Sequence, residues 1–118
     1  MFLSKLRKSF VNAGRGLAHV FKSEQNFRMQ AGVGLVVLIA AVWLPLQTWE
    51  RIVITLLVLL VLLMEILNTV LEYLIDLLKP RLHHYVHVIK DVMAGAVLLT
   101  ALIALAVGVV IFYPYLVK

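Results

Sequence analysis

The chain has 118 residues, of which 64% are hydrophobic, and a formal net charge of +5. Soluble domains have an apolar fraction of about 45–50%, and a chain this short has too little interior to hide the excess. The composition therefore excludes an ordinary soluble domain and predicts an integral membrane protein. The absence of cysteine excludes disulfide bonds and thiolate metal sites.

The N-terminal segment, residues 1–25, mixes apolar and basic side chains. Its apolar residues fall near one face of a helix, and five cations lie largely elsewhere: Lys5, Arg7, Lys8, Arg15 and Lys22. This pattern is typical of an amphipathic helix on an anionic membrane surface. Because glycine is a poor helix former, Gly14 and Gly16 predict a bend or break. The segment lacks the continuous apolar core of a signal peptide, so we expect it to remain in the mature protein.

Three hydrophobic spans are predicted after this surface helix, at residues 29–46, 50–78 and 86–113. The first lies in a stretch of 21 residues without a charge, and about 20 apolar residues suffice to cross hydrocarbon. Pro80 follows the second span, and Pro114 is expected to mark the end of the third. The prediction is an all-α membrane protein in which residues 1–118 form one domain.

The cations are distributed unequally between the two sides that these spans define. With a cytoplasmic N-terminus, nine lie on the cytoplasmic side: Lys5, Arg7, Lys8, Arg15, Lys22, Arg28, Lys79, Arg81 and Lys90. The other side carries Arg51 and Lys118. Since cytoplasmic loops of membrane proteins are enriched in Lys and Arg, we expect the N-terminus inside and the C-terminus outside. This placement also accounts for the positive charge without a nucleic-acid partner.

A polar stripe interrupts the second span. At about 100° per residue, five side chains fall within a sector roughly 100° wide: Glu65, Asn68, Thr69, Glu72 and Asp76. A carboxylate at mid-membrane depth costs about 2.5–3.5 kcal/mol, so something positive is expected among them. Lys90 is one candidate. A divalent cation is the other, because Mg²⁺ favours one or two carboxylates together with phosphate oxygens.

Glu24, just before the first span, adds a fourth acid on the same side. If the first two spans pack together, Glu24 and Glu72 can approach each other and bind a metal ion. Carboxylates for Mg²⁺, Lys90 for phosphate charge and a carboxylate that accepts a hydroxyl proton are the parts of a phosphoryl-transfer site, although no P-loop pattern is present. The stripe alone would also suit an ion or proton path, a holin-like pore or transport protein, or polar contacts between subunits.

The histidines at positions 83, 84 and 87 could indicate zinc. Adjacent His83 and His84 would diverge on a helix, and the fixed spacing and acidic partners of a zinc site are missing. Solvated loop histidines are therefore the preferred interpretation.

Four motifs occur together: EILNTVLE at residues 65–72, Asp76, Lys90-Asp91 followed by Ala94-Gly95-Ala96, and SEQNFR at residues 23–28. In this combination the chain resembles the prokaryotic diacylglycerol kinase family, which includes the undecaprenol kinases, over nearly its whole length. The resemblance implies a homotrimer in the bacterial cytoplasmic membrane, with a surface helix and three transmembrane helices in each subunit. It also implies transfer of the γ-phosphoryl group of ATP, with Mg²⁺, to the hydroxyl of diacylglycerol or undecaprenol.

The resemblance also implies roles for individual residues. Glu65 would be the general base, and Glu24 and Glu72 would be the Mg²⁺ ligands. The nucleotide-binding residues would be Lys5, Glu24, Asn68, Glu72, Asp76, His83, Lys90 and Asp91. The lipid-binding residues would be Asn26, Phe27, Arg28, Gln30, Glu65 and Ala94.

Two positions depart from the family pattern. Asn12 stands where some members have an aromatic residue near the adenine, and Arg81-Leu82 replaces a more acidic and aromatic loop before His83. The residues Ala94-Gly95-Ala96 are similar to the undecaprenol-type branch, but the apolar acceptor pocket leaves the choice between diacylglycerol and undecaprenol open.

Overall fold

The computed structural model describes residues 1–81 and 83–117. Leu82, expected in the nucleoside-side loop, and Lys118, counted with the outer cations, lie outside this range. In the described part of the chain, four helices follow one another: α1 (Phe2–Ser23), α2 (Gln25–Trp43), α3 (Thr48–Leu78) and α4 (Val86–Leu116). The predicted all-α fold class is confirmed.

Within the same described residues, three helices are long and apolar enough to cross a membrane: α2, α3 and α4. α3 has 31 residues, which corresponds to roughly 46 Å at 1.5 Å per residue. The hydrocarbon core of a bilayer is about 30 Å thick. About a third of α3 therefore extends beyond the hydrocarbon if the helix crosses it without a strong tilt.

The predicted bend at Gly14 and Gly16 is wrong, because α1 is a continuous helix of 22 residues. Each glycine lowers helix stability by about 1 kcal/mol relative to alanine, but glycine does not prevent the helical backbone conformation. The amphipathic pattern continues on both sides of the two glycines, and it decides the local structure.

Two helix ends differ from the predicted spans, and both lie close to a proline. α2 ends at Trp43, three residues before the predicted limit, and Leu44 is extended with ψ of 152°. Leu44 precedes Pro45, and a residue before proline disfavours the helical region. The expectation that Pro114 ends the third span is wrong, since α4 continues through it to Leu116. One proline near the end of a helix removes only one backbone donor.

A hydrophobic core lies at the end of the bundle that contains the α2–α3 turn, here called the turn end. Its buried residues come from α2, the turn, α3 and α4: Ala41, Leu46, Ile54 and Ile111. The opposite end contains residues 79–81 and 83–85 and is called the loop end. The two ends differ in chemistry, because the acidic stripe of α3 and the charged pair Lys90 and Asp91 of α4 lie toward the loop end.

A polar network closes the turn end. The buried Glu50 carboxylate accepts hydrogen bonds from the backbone N–H of Gln47, at 2.9 Å, and from the Tyr115 hydroxyl. Arg51 donates to two carbonyl oxygens at the C-terminal end of α2, at 2.9 and 3.0 Å. These bonds satisfy backbone groups that helix ends leave unpaired. They also connect the last turn of α4 to the α2–α3 turn, which gives Glu50 a structural role.

Gly34 allows α2 and α3 to pack closely. A Cβ atom at this position would lie 2.7 Å from Cγ1 of Val58, which is too short for a carbon–carbon contact. We expect Gly34→Leu to force the helices apart and to lower the free energy of unfolding by about 1–3 kcal/mol, the usual cost of overpacking. Thermal unfolding in detergent would measure the effect.

Gly32 provides the matched control for this prediction. It lies on the same helix, and a Cβ there would meet nothing within 4 Å. Gly32→Leu should therefore leave the unfolding temperature unchanged or raise it, because leucine is the better helix former. Equal stability of the two leucine variants would contradict the close-packing argument.

Candidate active site

A polar cleft of about 540 Å³ opens between α2, α3 and α4 toward the loop end. Seven polar side chains line it: Asn26, Gln30, Glu65, Asn68, Glu72, Lys90 and Asp91. Ala94 also lies on its wall. The structure thus brings eight of the predicted site residues, from three helices, to one cleft.

Helix geometry explains the wall that α3 contributes. Side chains at positions i, i+3 and i+7 of an α-helix share one face, which places Glu65, Asn68 and Glu72 in a row. The segment 79–85 is short, so α4 returns alongside α3 and brings Lys90 and Asp91 to the same cleft.

Glu65 is held by contacts on both its side chain and its backbone. It is 6% exposed, and its Oε1 atom accepts a hydrogen bond from Nε2 of Gln30 at 3.1 Å. The Thr69 hydroxyl donates to the backbone carbonyl of Glu65 at 3.0 Å. The carboxylates of Glu72 and Asp91 line the same cleft. The site therefore concentrates negative charge around one buried carboxylate.

Glu72 is exposed, unlike Glu65. Its Oε1 atom accepts a hydrogen bond from Nδ2 of Asn68 at 3.2 Å. This bond restrains one carboxylate oxygen. Residues four apart on a helix are neighbours, so the sequence showed that Asn68 and Glu72 could be in contact. The structure shows that they form a hydrogen bond.

The position of each carboxylate along α3 sets its depth. Measured from Thr48, Glu65 lies roughly 26 Å and Glu72 roughly 36 Å along the helix. If a hydrocarbon layer about 30 Å thick begins at Thr48 and α3 crosses it without a strong tilt, Glu65 falls near its other edge. Glu72 then falls beyond that edge, where charged solutes have access.

Six other predicted site residues lie off the cleft wall, and Glu24 is one of them. Lys5, Asp76 and His83 are exposed. Phe27 is buried, and the Arg28 guanidinium donates to two carbonyl oxygens of the last turn of α1, both at 2.8 Å. Arg28 therefore caps the C-terminal end of α1 in this structure.

Glu24 separates α1 from α2. It is partly buried and has extended backbone angles, φ −112° and ψ 109°. In residues 1–81 and 83–117, no group of three or more His, Asp or Glu side chains could hold a metal ion by itself. Mg²⁺ needs only one or two carboxylates when phosphate oxygens and water complete its shell. The pair Glu24 and Glu72 is therefore chemically suited to Mg²⁺ that arrives with a nucleotide.

An apolar groove of about 630 Å³ adjoins the polar cleft. Gln30 and Ala101 line both spaces, so the two meet beside Glu65. The amide oxygen of Gln30 is buried and has no hydrogen-bond partner among the described residues. Gln30 therefore occupies the boundary between the charged and the hydrocarbon-lined parts of the site.

A contact between α1 and α3 was not predicted from the sequence. Nε2 of His19 lies 2.9 Å from the hydroxyl of Tyr73, at hydrogen-bond distance. The two residues are 54 positions apart, and no local spacing rule connects them. The nearest available signal was the position of Tyr73 directly after Glu72.

The family model described as prokaryotic diacylglycerol kinase matches residues 11–112. The chain belongs to the prokaryotic diacylglycerol kinase family. The predicted family is thereby confirmed, and this member is a membrane lipid kinase. The alternative of a holin-like pore or transport protein is not favoured.

Relatives of this family member carry two different names. The chain is 37% identical to undecaprenol kinase of Bacillus subtilis over 97% of its own length and 93% of that protein. It is also 37% identical to diacylglycerol kinase of Synechocystis sp., over 90% of the chain and 61% of that protein. The identity to diacylglycerol kinase of Escherichia coli is 26%, over 86% of the chain and 83% of that protein.

Proposed function

We propose that this lipid kinase transfers the γ-phosphoryl group of ATP to the hydroxyl group of a membrane lipid at the cytoplasmic face. One observation carries the proposal: a single cleft holds the buried Glu65 together with the exposed Glu72 and Lys90. A lipid hydroxyl can reach the first carboxylate from the hydrocarbon edge, and a nucleotide can reach the other two groups from water.

Glu65 acts as the general base in this proposal. The amide of Gln30 holds one of its oxygens, which leaves the other to accept the proton of the lipid hydroxyl. As that proton leaves, the hydroxyl oxygen bonds to the γ-phosphorus, the bond from the γ-phosphorus to the β,γ-bridging oxygen breaks, and ADP departs. Such a base typically contributes about 10²–10⁴-fold to the rate.

Glu24 and Glu72 would hold Mg²⁺ beside the ATP phosphates, where the ion would supply positive charge to the phosphate oxygens. Lys90, oriented by Asp91, would bind the phosphates directly. Asn68 would keep the Glu72 carboxylate in place through their hydrogen bond.

The remaining predicted residues are assigned to contacts with the nucleotide or with the lipid. Lys5, Asp76 and His83 would lie toward the nucleotide. The lipid would contact five further residues: Asn26, Phe27, Arg28, Gln30 and Ala94. The apolar groove next to Gln30 offers space for the hydrocarbon chain, since its lining is almost entirely apolar.

We also propose a homotrimer in the bacterial cytoplasmic membrane, with the N-terminus in the cytoplasm and the C-terminus outside. The count of nine cations on one side against two on the other supports this orientation. The loop end, with the polar cleft, then faces the cytoplasm, where ATP is available.

Undecaprenol is the proposed preferred acceptor. The similarity of Ala94-Gly95-Ala96 to the undecaprenol-type branch supports it, and so does the 37% identity to an undecaprenol kinase over nearly the full length of both chains. Purified protein in mixed micelles, with labelled ATP and Mg²⁺, should phosphorylate undecaprenol with a higher kcat/KM than diacylglycerol. A higher kcat/KM for diacylglycerol would contradict the preference alone. Transfer to neither lipid would contradict the kinase proposal.

A further inference from the structure

The attachment of α1 to the bundle is narrow. Among the described residues of α1, Val20 is the one that is buried. Its neighbour His19 makes a hydrogen bond to Tyr73 of α3, with 2.9 Å between Nε2 and the hydroxyl oxygen and 6.0 Å between the ring centroids. The last turn of α1 is therefore where this helix meets the transmembrane bundle.

Glu24 is coupled to that last turn by short local hydrogen bonds. Its backbone N–H donates to the Val20 carbonyl at 2.9 Å. The Ser23 hydroxyl donates to the His19 carbonyl at 2.8 Å, and Arg28 reaches back from α2 to two further carbonyls of the same turn. The place of the Glu24 backbone thus depends on where the last turn of α1 lies.

His19 lies in the turn that holds Glu24, and Tyr73 of α3 directly follows Glu72. We propose that the His19–Tyr73 hydrogen bond is a positioning contact that sets the location of Glu24 relative to Glu72. The inference rests on the proposed function, in which these two carboxylates hold Mg²⁺. It assigns a role to two residues that do not line the cleft.

The expected effect falls on metal binding rather than on folding. Both side chains are exposed, and a hydrogen bond between exposed groups adds little net stability. Mg²⁺ ligands, by contrast, must lie close to ideal octahedral positions, so a small displacement of one carboxylate weakens binding. Either histidine tautomer can form the bond, because the tyrosine hydroxyl can donate or accept.

Tyr73→Phe is the sharpest test, because it removes only the hydroxyl group. Mn²⁺, a paramagnetic substitute for Mg²⁺, can be titrated by electron paramagnetic resonance in the presence of a non-hydrolysable ATP analogue. We expect the Mn²⁺ dissociation constant to rise about two- to tenfold, the scale of one hydrogen bond. His19→Ala should give a similar rise, and the double variant should give no larger one, because both changes remove the same interaction. Turnover at saturating metal should change less than the affinity.

Tyr85→Phe is the matched control. Tyr85 is exposed and precedes α4, and its change should leave Mn²⁺ affinity unaltered. Affinities of Tyr73→Phe and His19→Ala equal to that of this control would overturn the proposal.

A distance measurement tests the contact without using metal or activity. The chain has no cysteine, so spin labels can be attached to Ser9→Cys on α1 and Leu77→Cys on α3, with labelled chains diluted in an excess of unlabelled ones. Tyr73→Phe should broaden the distance distribution, and an unchanged distribution would overturn the proposal. Failure of the unmodified protein to phosphorylate any lipid would instead overturn the proposed function, and the distance measurement would still report on the contact.

Discussion

Glu65→Gln is expected to lower the turnover of lipid phosphorylation by about 10²-fold or more. Glutamine is nearly isosteric with glutamate, and its Oε1 atom can still accept the hydrogen bond from Gln30. It cannot accept the proton of the lipid hydroxyl. Initial rates at saturating ATP, Mg²⁺ and lipid measure the loss, and calorimetric titration with nucleotide should show that ATP binding is retained.

Glu50→Gln is the matched control for Glu65→Gln. Glu50 is a buried carboxylate on the same helix, 8% exposed against 6% for Glu65, but it lies in the network at the turn end. Its replacement should leave turnover unchanged and affect only thermal stability. Unchanged turnover in Glu65→Gln would remove Glu65 from the role of base. An equal loss in both variants would mean that buried charge at either position supports only the fold.

Glu72→Gln is expected to raise the Mg²⁺ concentration required for half-maximal activity by at least about tenfold. Mutation of residues that only hydrogen-bond to metal ligands already lowers metal affinity about 10–100-fold, and the loss of a ligand itself should cost no less. The amide keeps an oxygen that can accept the hydrogen bond from Asn68. The change therefore removes the charge and retains the local contact. Rates measured across a Mg²⁺ titration at fixed ATP give the shift.

Leu74→Ala controls for the loss of helix surface near Glu72. Leu74 is 48% exposed and lies off the cleft wall, so its truncation should leave the Mg²⁺ requirement unchanged. If Glu72→Gln lowered the unfolding temperature but kept the Mg²⁺ titration of the unmodified protein, Glu72 would be a structural residue rather than a metal ligand.

Much of the fold could be predicted because each helix has its own pattern of hydropathy and charge in the sequence. The apolar lengths of α2, α3 and α4 predicted the three spans, and the amphipathic pattern predicted the surface helix. The ends were less predictable, as Leu44 and Pro114 show. A proline restricts the residue before it, but the remaining contacts of the helix decide whether the helix stops or continues.

The candidate site, too, was predictable from the sequence only in part. A helical period of 3.6 residues placed Glu65, Asn68 and Glu72 on one face from the sequence alone. It could not show that Glu65 is held by Gln30 of α2, because that contact depends on how α2 is rotated against α3. The period also grouped Asp76 with the stripe, whereas the structure leaves Asp76 exposed and off the cleft wall.

The amino-acid sequence by itself determined the all-α membrane class, the three spans and the acidic face of α3, because each follows from apolar length or from the repeat of a single helix. Tertiary structure alone decided which helices share the cleft, how closely α2 approaches α3 at Gly34, and that His19 meets Tyr73. These features depend on the crossing and rotation of separate helices. Side chains far apart in the chain set that geometry jointly, so no local pattern contains it.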